Sequence, residues 1–345
     1  MSTKLNVNQI SINYRENTAV EGVSFTLEAG RIGCLLGPSG CGKTTILRAI
    51  SGFEPVRKGN IILGDRSVSD SNFTMPSQDR RVGMVFQDFA LYPHLTVEKN
   101  VQFGLNKWSK HDRKERAASL LKLVKLEDFS QRYPHELSGG QQQRVALIRA
   151  MAPKPDILLM DEPFSSMDTE LRHTLAAEVR SILKQENITT LLVTHDQSEA
   201  FAMADDIGVM ENSRLVQWGS AKELYFEPKN PFVAKFIGKS TLLKASYKGN
   251  GMVESPLGLT KVKYMTPITP LSLMQVRPQD VVISLDSDIK ATITSALYLG
   301  HEYLYTLKLT DDQTLLCVAS SNSNYKENDQ VGIKLISSNL ISYGV

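Results

Sequence analysis

The chain has 345 residues, 41% of them apolar and 22% charged, with a formal net charge of +2. That length allows two domains with substantial cores, and a charge so near neutral argues against an electrostatic nucleic-acid binder. No apolar run reaches the ~18 residues of a membrane-spanning helix, residues 1–9 lack the basic-then-apolar order of a secretory leader, and Cys34, Cys41 and Cys317 show neither metal-ligand nor disulfide spacing, which suits a reduced, cytoplasmic setting.

Residues 23–27 and 31–36 read as the first strands, the second running straight into a glycine-rich loop. That loop is Gly37, Pro38, Ser39, Gly40, Cys41, Gly42, Lys43 and Thr44. It fits G-x-x-x-x-G-K-[ST] at every defined position, between a predicted strand and a predicted helix. Glycines let the backbone curl so that its N–H groups point inward at phosphate oxygens. The helix that follows adds its positive N-terminal end. Lys43 would supply a point charge for the β- and γ-phosphates, and the Thr44 hydroxyl a ligand for Mg2+. ATP and Mg2+ are therefore the expected cofactors.

Strand-like runs are sparse over residues 89–154, which read as a helical insert. Residues 113–124 suit an amphipathic helix with Leu120, Leu121 and Val124 as its stripe. The Lys/Arg cluster at 107–116 reads as a solvated face. Ser138 is suited to cap a helix running through Arg149, and the N–H groups of its first turn, at Gly139, Gly140 and Gln141, make an anion site. Residues 157–160 and 190–194 are continuous apolar or β-branched runs that suit strands buried on both faces. A helix is predicted over 171–185, between them. Asp161 ends the first run, placed to hold Mg2+ through water. Glu162, one residue on, is placed to orient or deprotonate the attacking water. This alternation indicates an α/β domain with a largely parallel sheet. Pro228 and Pro231 mark a break. Beyond Gly238, short strands at 291–298, 303–309 and 315–319, with a hairpin turn at 310–313, predict a small OB-like β-barrel. The expected domains are 1–238, with its insert at about 89–154, and 239–345.

Leu137, Ser138, Gly139, Gly140, Gln141, Gln142, Gln143 and Arg144 resemble the signature motif of ABC ATPases. Four more positions fall in that family's order. Gln87 resembles the Q-loop, Asp168 the D-loop and His195 the switch histidine, while Tyr14 resembles the aromatic residue that stacks on adenine. The resemblance covers about residues 3–240. It implies a P-loop ABC ATPase domain with a helical subdomain, binding ATP through Tyr14, Val20, the loop from Gly37 to Thr44, and Thr45. From the opposite subunit it implies Ser138, Gly139, Gly140 and Gln141, so two chains would close around two ATP, and it adds Asp168 to the nucleotide-binding residues. Glu162, His195, Gln87 and Lys43 become the implied catalytic residues, and Thr44, Gln87 and Asp161 the Mg2+ ligands. His111, His135, His173 and His301 match no motif and read as structural. Cys41 has no catalytic role, although its alkylation would obstruct ATP.

Residues 276–281 and 298–301 resemble the accessory β-domain of importer ATPases of the sugar, polyamine and ferric-iron group. Residues 34–45, 50–54 and 81–94 most resemble ferric-iron importers. The resemblance implies ATP hydrolysis energising ferric-iron uptake, on the cytoplasmic face of a bacterial inner membrane. Its implied partners are polytopic permease subunits and, indirectly, a periplasmic solute-binding protein, with no nucleic acid. The same role in a polyamine, sugar or other solute importer is the alternative. A soluble ABC ATPase acting on nucleic acid or ribosomes, and a binding role dominated by residues 240–345, are rivals from other classes. Phe89, Leu91 and Tyr92 are expected to receive a permease helix, with core packing as the other reading of the three.

Overall fold

The computed structural model describes residues 3–15, 17–165, 167, 169–265, 269–337 and 340–345. By compactness the chain divides into two units, Met1–Ala221 and Lys222–Val345.

The first unit runs β1 (Leu5–Tyr14), β2 (Asn17–Leu27), β3 (Ile32–Leu36), α1 (Lys43–Ser51), β4 (Lys58–Leu63), β5 (Arg66–Asp70), β6 (Val82–Val85), α2 (Val97–Gln102), α3 (Lys110–Leu123), α4 (Gly139–Met151), β7 (Ile157–Asp161), α5 (Thr169–Gln185), β8 (Thr190–Thr194), α6 (Gln197–Met203), β9 (Asp206–Glu211) and β10 (Arg214–Gly219). Two sheets result. Six strands in the order β10-β9-β3-β8-β7-β6 form the central one, parallel from β9 to β6 and antiparallel only at β10. Its middle strands β3 and β8 are buried at every position, as strands covered on both faces must be. The other four strands form an antiparallel sheet, β2-β1-β4-β5. Residues 23–27 therefore belong to a separate sheet. Val23, Phe25 and Leu27 are buried while Ser24 and Thr26 are exposed, the period-two alternation of a strand with one covered face.

Register in the central sheet positions the chemistry. Leu36 pairs with Thr194, Asp161 with Val193 and Val85 with Met160. The C-terminal ends of β3, β8, β7 and β6 thus lie side by side, spanning about 15 Å at the usual strand spacing. Ligands of open parallel sheets bind at that edge. Between β6 and β7 the chain makes no strand, only α2, α3, α4 and single turns. Helix α3 buries Ala117, Leu120 and Leu121, with Val124 buried at its end, and is capped by the Ser109 hydroxyl. The face that carries Lys110, His111 and Lys114 is exposed, as a solvated face should be.

The second unit holds α7 (Ala221–Phe226), which begins at the boundary, and α8 (Pro231–Phe236), followed by strands β11 (Thr241–Gly249), β12 (Met252–Ser255), β13 (Gly258–Met265), β14 (Leu271–Val276), β15 (Val281–Ile283), β16 (Lys290–Tyr298), β17 (Glu302–Leu309), β18 (Thr314–Ser320), β19 (Gln330–Leu335) and β20 (Leu340–Gly344). Five of them close a barrel in the order β11-β12-β13-β20-β14. The expected barrel is present, and the strands read from the sequence, β16, β17 and β18, lie beside it in a second sheet, β15-β19-β16-β17-β18. Their hairpin pairings are local, whereas β20 inserts between β13 and β14 from the end of the chain. Helices α7 and α8 group with this unit by compactness. Arg277 ties both into it: its guanidinium lies 3.5 Å over the Tyr225 ring, bonds the Tyr225 carbonyl, and donates to the Ile237 carbonyl at 3.0 Å.

Candidate functional site

The loop from Gly37 to Gly42 leaves β3 and enters α1, whose N-cap is Gly42 in the left-handed region at φ 98°. A Cβ there would stand 2.3 Å from the Ala19 carbonyl oxygen, and one at Gly37 2.5 Å from the Met210 carbonyl oxygen. Both positions are closed to any side chain, so the pattern's first and last glycines are steric requirements. Pro38, Ser39 and Gly40 are exposed at the rim. Lys43 is buried, and its ammonium donates at 2.8 Å to the carbonyls of Gly37 and Pro38. Cys41 is buried beside it, its Sγ 3.7 Å from the ammonium. Thr45 is half-buried on α1.

The Thr44 hydroxyl donates to Asp161 Oδ1 at 2.9 Å, joining α1 to the end of β7. Burial pushes the Asp161 carboxyl up and the adjacent Glu162 adds to this. Thr44, Arg48 and Lys43 pull it down without cancelling the rise. Two hard oxygen donors side by side suit Mg2+, which takes few protein ligands and completes its shell with phosphates and water. Among the described residues no cluster of three or more His, Cys, Asp or Glu side chains offers a dedicated metal cage.

Glu162 is held left-handed at φ 41°, and its N–H donates to the Val193 carbonyl at 3.0 Å. That bond to β8 aims it toward His195. Nδ1 of His195 stands 3.1 Å from Oε2 of Glu162, and the imidazole is more than half exposed. Gln87 follows β6 and is exposed. The residues after it are strained: Phe89 and Ala90 have φ of 60° and 46°. Arg149 on α4 holds both, its Nη2 donating to Phe89 at 3.0 Å and its Nη1 to Ala90 at 2.5 Å. Asn100 on α2 clamps Tyr92 from the other side, accepting from its N–H and donating to its carbonyl. Phe89 is only 8% exposed, so for this residue core packing prevails over a docking role, while Leu91 and Tyr92 are half-buried.

Tyr14 ends β1 with its ring 41% exposed, opposite Asn17 in the β1–β2 hairpin. Val20 is fully buried in the core, with Cγ2 3.2 Å from where a Gly42 Cβ would lie. It backs the phosphate loop and offers no free surface to a base. Ser138 caps α4: its Oγ accepts from the Gln141 N–H at 3.4 Å, and Gln141 Oε1 accepts from the Ser138 N–H at 2.9 Å, a reciprocal box. Ser138 and Gly139 are exposed, Gly140 is buried, and a Cβ on Gly139 would meet nothing within 4 Å. Asp168 lies outside the described residues. The fold thus brings Lys43, Thr44, Asp161, Glu162 and His195 together at one sheet edge, with Ser138–Gln141 on the helical insert. Sequence reasoning missed Arg149 and Arg172, which bond residues far along the chain, and Asn100, which bonds Tyr92 eight residues back. No local pattern announces them.

Residues 20–165 match the family model described as ABC transporter, and residues 274–339 the model described as TOBE domain. The "Fe(3+) ions import ATP-binding protein FbpC" of Fusobacterium nucleatum is 39% identical over 331 residues, 93% of this chain and 87% of that protein. The "Spermidine/putrescine import ATP-binding protein PotA" of Trichodesmium erythraeum is 38% identical, over 88% of this chain and 84% of that one. Among solved structures, the dimeric post-hydrolysis state of the ATP-binding cassette MJ0796 bound to ADP and Pi superposes with a TM-score of 0.55 at 28% identity, covering 63% of this chain and 98% of that one.

Proposed function

Because the chain belongs to the import ATP-binding proteins of ABC transporters, we propose that it hydrolyses ATP at the edge of its central sheet to drive uptake of ferric iron. The observation that carries the ATPase site is the convergence of Lys43, the Thr44–Asp161 pair and the Glu162–His195 pair on adjacent strand ends. A triphosphate entering the loop would take over the bonds that Lys43 makes to the Gly37 and Pro38 carbonyls. Tyr14 would cover the base, and Thr45 would reach the phosphates from the first turn of α1. Thr44 and Asp161, with Gln87 from the next strand, would hold Mg2+, which neutralises phosphate charge when bound. Glu162 would take the proton of the attacking water, and His195, at 3.1 Å, would keep that carboxylate in line. The products are ADP and phosphate.

The exposed first turn of α4 would cover the γ-phosphate of ATP held by a second copy, so one site needs two chains. Asp168 would contribute across the same boundary. Uptake also requires polytopic permease subunits, since no described helix is long and apolar enough to cross a membrane. The chain would then sit on the cytoplasmic face of the inner membrane, with a periplasmic solute-binding protein as an indirect partner that delivers iron to the permease. Iron is favoured by the likeness to Fe(3+) import proteins. Polyamine import is the competing solute, given the similar identity to the spermidine/putrescine relative.

The test is Glu162→Gln. Hydrolysis should fall by about 100-fold or more, with ATP affinity retained. Hydrolysis at the parental rate would remove Glu162 from its role. For the solute, a strain lacking this chain should lose uptake of labelled ferric iron and keep uptake of labelled spermidine. The reverse pattern would reassign it.

A further inference from the structure

The two neighbours of His195 in the chain are both held by one polar network outside the phosphate loop. Thr194 Oγ1 donates to Glu199 Oε2 at 2.6 Å and accepts from the Asp196 N–H at 3.0 Å. Asp196 Oδ1 accepts from the N–H groups of Ser198 and Glu199. Arg172, in the first turn of α5, joins the network from another segment. Its Nη1 donates to Asp196 Oδ2 at 2.8 Å, and its Nε lies 3.5 Å from Glu199 Oε1. Its Nη2 donates to the Met167 carbonyl at 2.9 Å.

Met167 closes the turn that begins at the catalytic carboxylate. The Ser165 N–H and hydroxyl donate to the Glu162 carbonyl, and the Met167 N–H to that of Phe164. One guanidinium is therefore bonded at once to the segment that carries Glu162 and to the segment that carries His195. Those two side chains meet at 3.1 Å. Glu199 is 3% exposed. Burial pushes its carboxyl up, Asp196 adds to this, and Thr194, Arg172 and His195 pull it down. Among the described residues Arg172 is the one cation ion-paired to Asp196 and Glu199. A planar fork donates to one carbonyl and one carboxylate from a single side chain, which a lysine cannot copy, while Nε is ion-paired to Glu199 without a hydrogen bond.

We propose that Arg172 is a positioning residue for hydrolysis, setting the Glu162–His195 separation by tying the Met167 carbonyl to the Asp196 carboxylate. Its bonds go to the Met167 carbonyl and the Asp196 carboxylate, outside the phosphate loop, so it would act through His195. The proposal rests on the roles of Glu162 and His195 given above. Displacing a catalytic group by ~1 Å can cost about 100-fold in rate, so a clip of this kind has leverage on kcat without contacting substrate.

The experiment is a double-mutant cycle of Arg172→Ala and His195→Ala, with single-turnover hydrolysis at excess enzyme and ATP affinity from a fluorescent analogue. Arg172→Ala should lower kcat by about tenfold or more while KM for ATP moves less than about twofold. Arg172→Lys should recover only part of the loss. In the His195→Ala background the Arg172 substitution should change kcat by less than about twofold, because the residue it acts through is gone. Should Arg172→Ala not fold, Arg172→Lys carries the same cycle. An equal loss with and without His195, or a raised KM at unchanged kcat, would overturn the proposal while leaving the Glu162 assignment intact. Parental-rate hydrolysis by Glu162→Gln, measured alongside, would instead overturn the premise and the proposal with it.

Discussion

Gly40 and Gly42 occupy the same left-handed region, at φ 81° and 98°, yet they differ in what a side chain would meet. A Cβ at Gly40 meets nothing within 4 Å, whereas one at Gly42 would sit 2.3 Å from the Ala19 carbonyl oxygen on β2. Gly40→Ala should therefore cost only the conformational strain, about 1 kcal/mol, and lower ATP affinity modestly. Gly42→Ala should cost about 3 kcal/mol or more, because either the loop or β2 must move, and ATP affinity should be lost. Denaturant unfolding and nucleotide titration of the two variants would check the contrast. Equal effects would mean that backbone strain alone decides the loop. The same close approach explains why Val20 is core: β2 lies directly against the loop it supports.

At the scale of elements, two polar side chains, Arg80 buried and Asp205 half-buried, make links that hydrophobic packing cannot. Arg80 is fully buried behind α1, donating to the Met75, Ala49 and Ile50 carbonyls and to Ser69 Oγ at 2.7–2.9 Å. Two of these carbonyls close the last turn of the helix that begins at Lys43, where a cation also complements the helix dipole. Burial pushes the Arg80 pKa down to about 10, so the charge persists at neutral pH. Arg80→Met should destabilise by about 3–5 kcal/mol, read from urea unfolding. A loss below about 1 kcal/mol would show that water can replace the guanidinium.

Asp205, in the link between α6 and β9, ties β3 to α5. It accepts from the Ile32 N–H of β3 and from Arg180 and Lys184 of α5. Burial raises its carboxyl, but Lys184, Ile32 and Arg180 outweigh that and hold it below the ordinary 3.8. A carboxyl whose folded pKa is depressed gives its full stabilisation above the unfolded value. That contribution is lost as pH falls through the lower folded value. Asp205→Asn should cost about 1–3 kcal/mol at neutral pH, and its deficit relative to the parent should shrink below pH 3.8. A deficit that stays constant through acid titration would exclude the charge as its source.

At the scale of the whole molecule, the proposed two-chain site turns on the outward face of α4. Ser138 and Gly139 present the first turn of α4 outward, with the cap already satisfied within the chain by Gln141. In the proposed two-chain site the N–H groups of that turn would meet an anion held by the second copy. Glu162→Gln saturated with MgATP should therefore elute as a dimer in size-exclusion chromatography and return to monomer with ADP. A monomer under both conditions, alone and with its permease, would exclude the two-chain site.

The amino-acid sequence by itself determined what depends on neighbouring residues. The phosphate loop, the acidic pair ending β7, the cap at Ser138 and the buried strands β7 and β8 were all legible, since turn, cap and burial chemistry act over a few positions. Tertiary structure decided what depends on residues far apart in the chain. Only the fold shows that residues 23–27 lie outside the parallel sheet, that β20 closes the barrel while β16–β18 form a second sheet, and that Val20 is core. Only the fold brings Arg80 beneath α1, Arg149 to the Phe89 and Ala90 carbonyls, and Arg172 between Met167 and Asp196. Each rests on register between strands or on a long side chain reaching another element, and both are set by the balance of the whole core, which no short stretch of residues encodes.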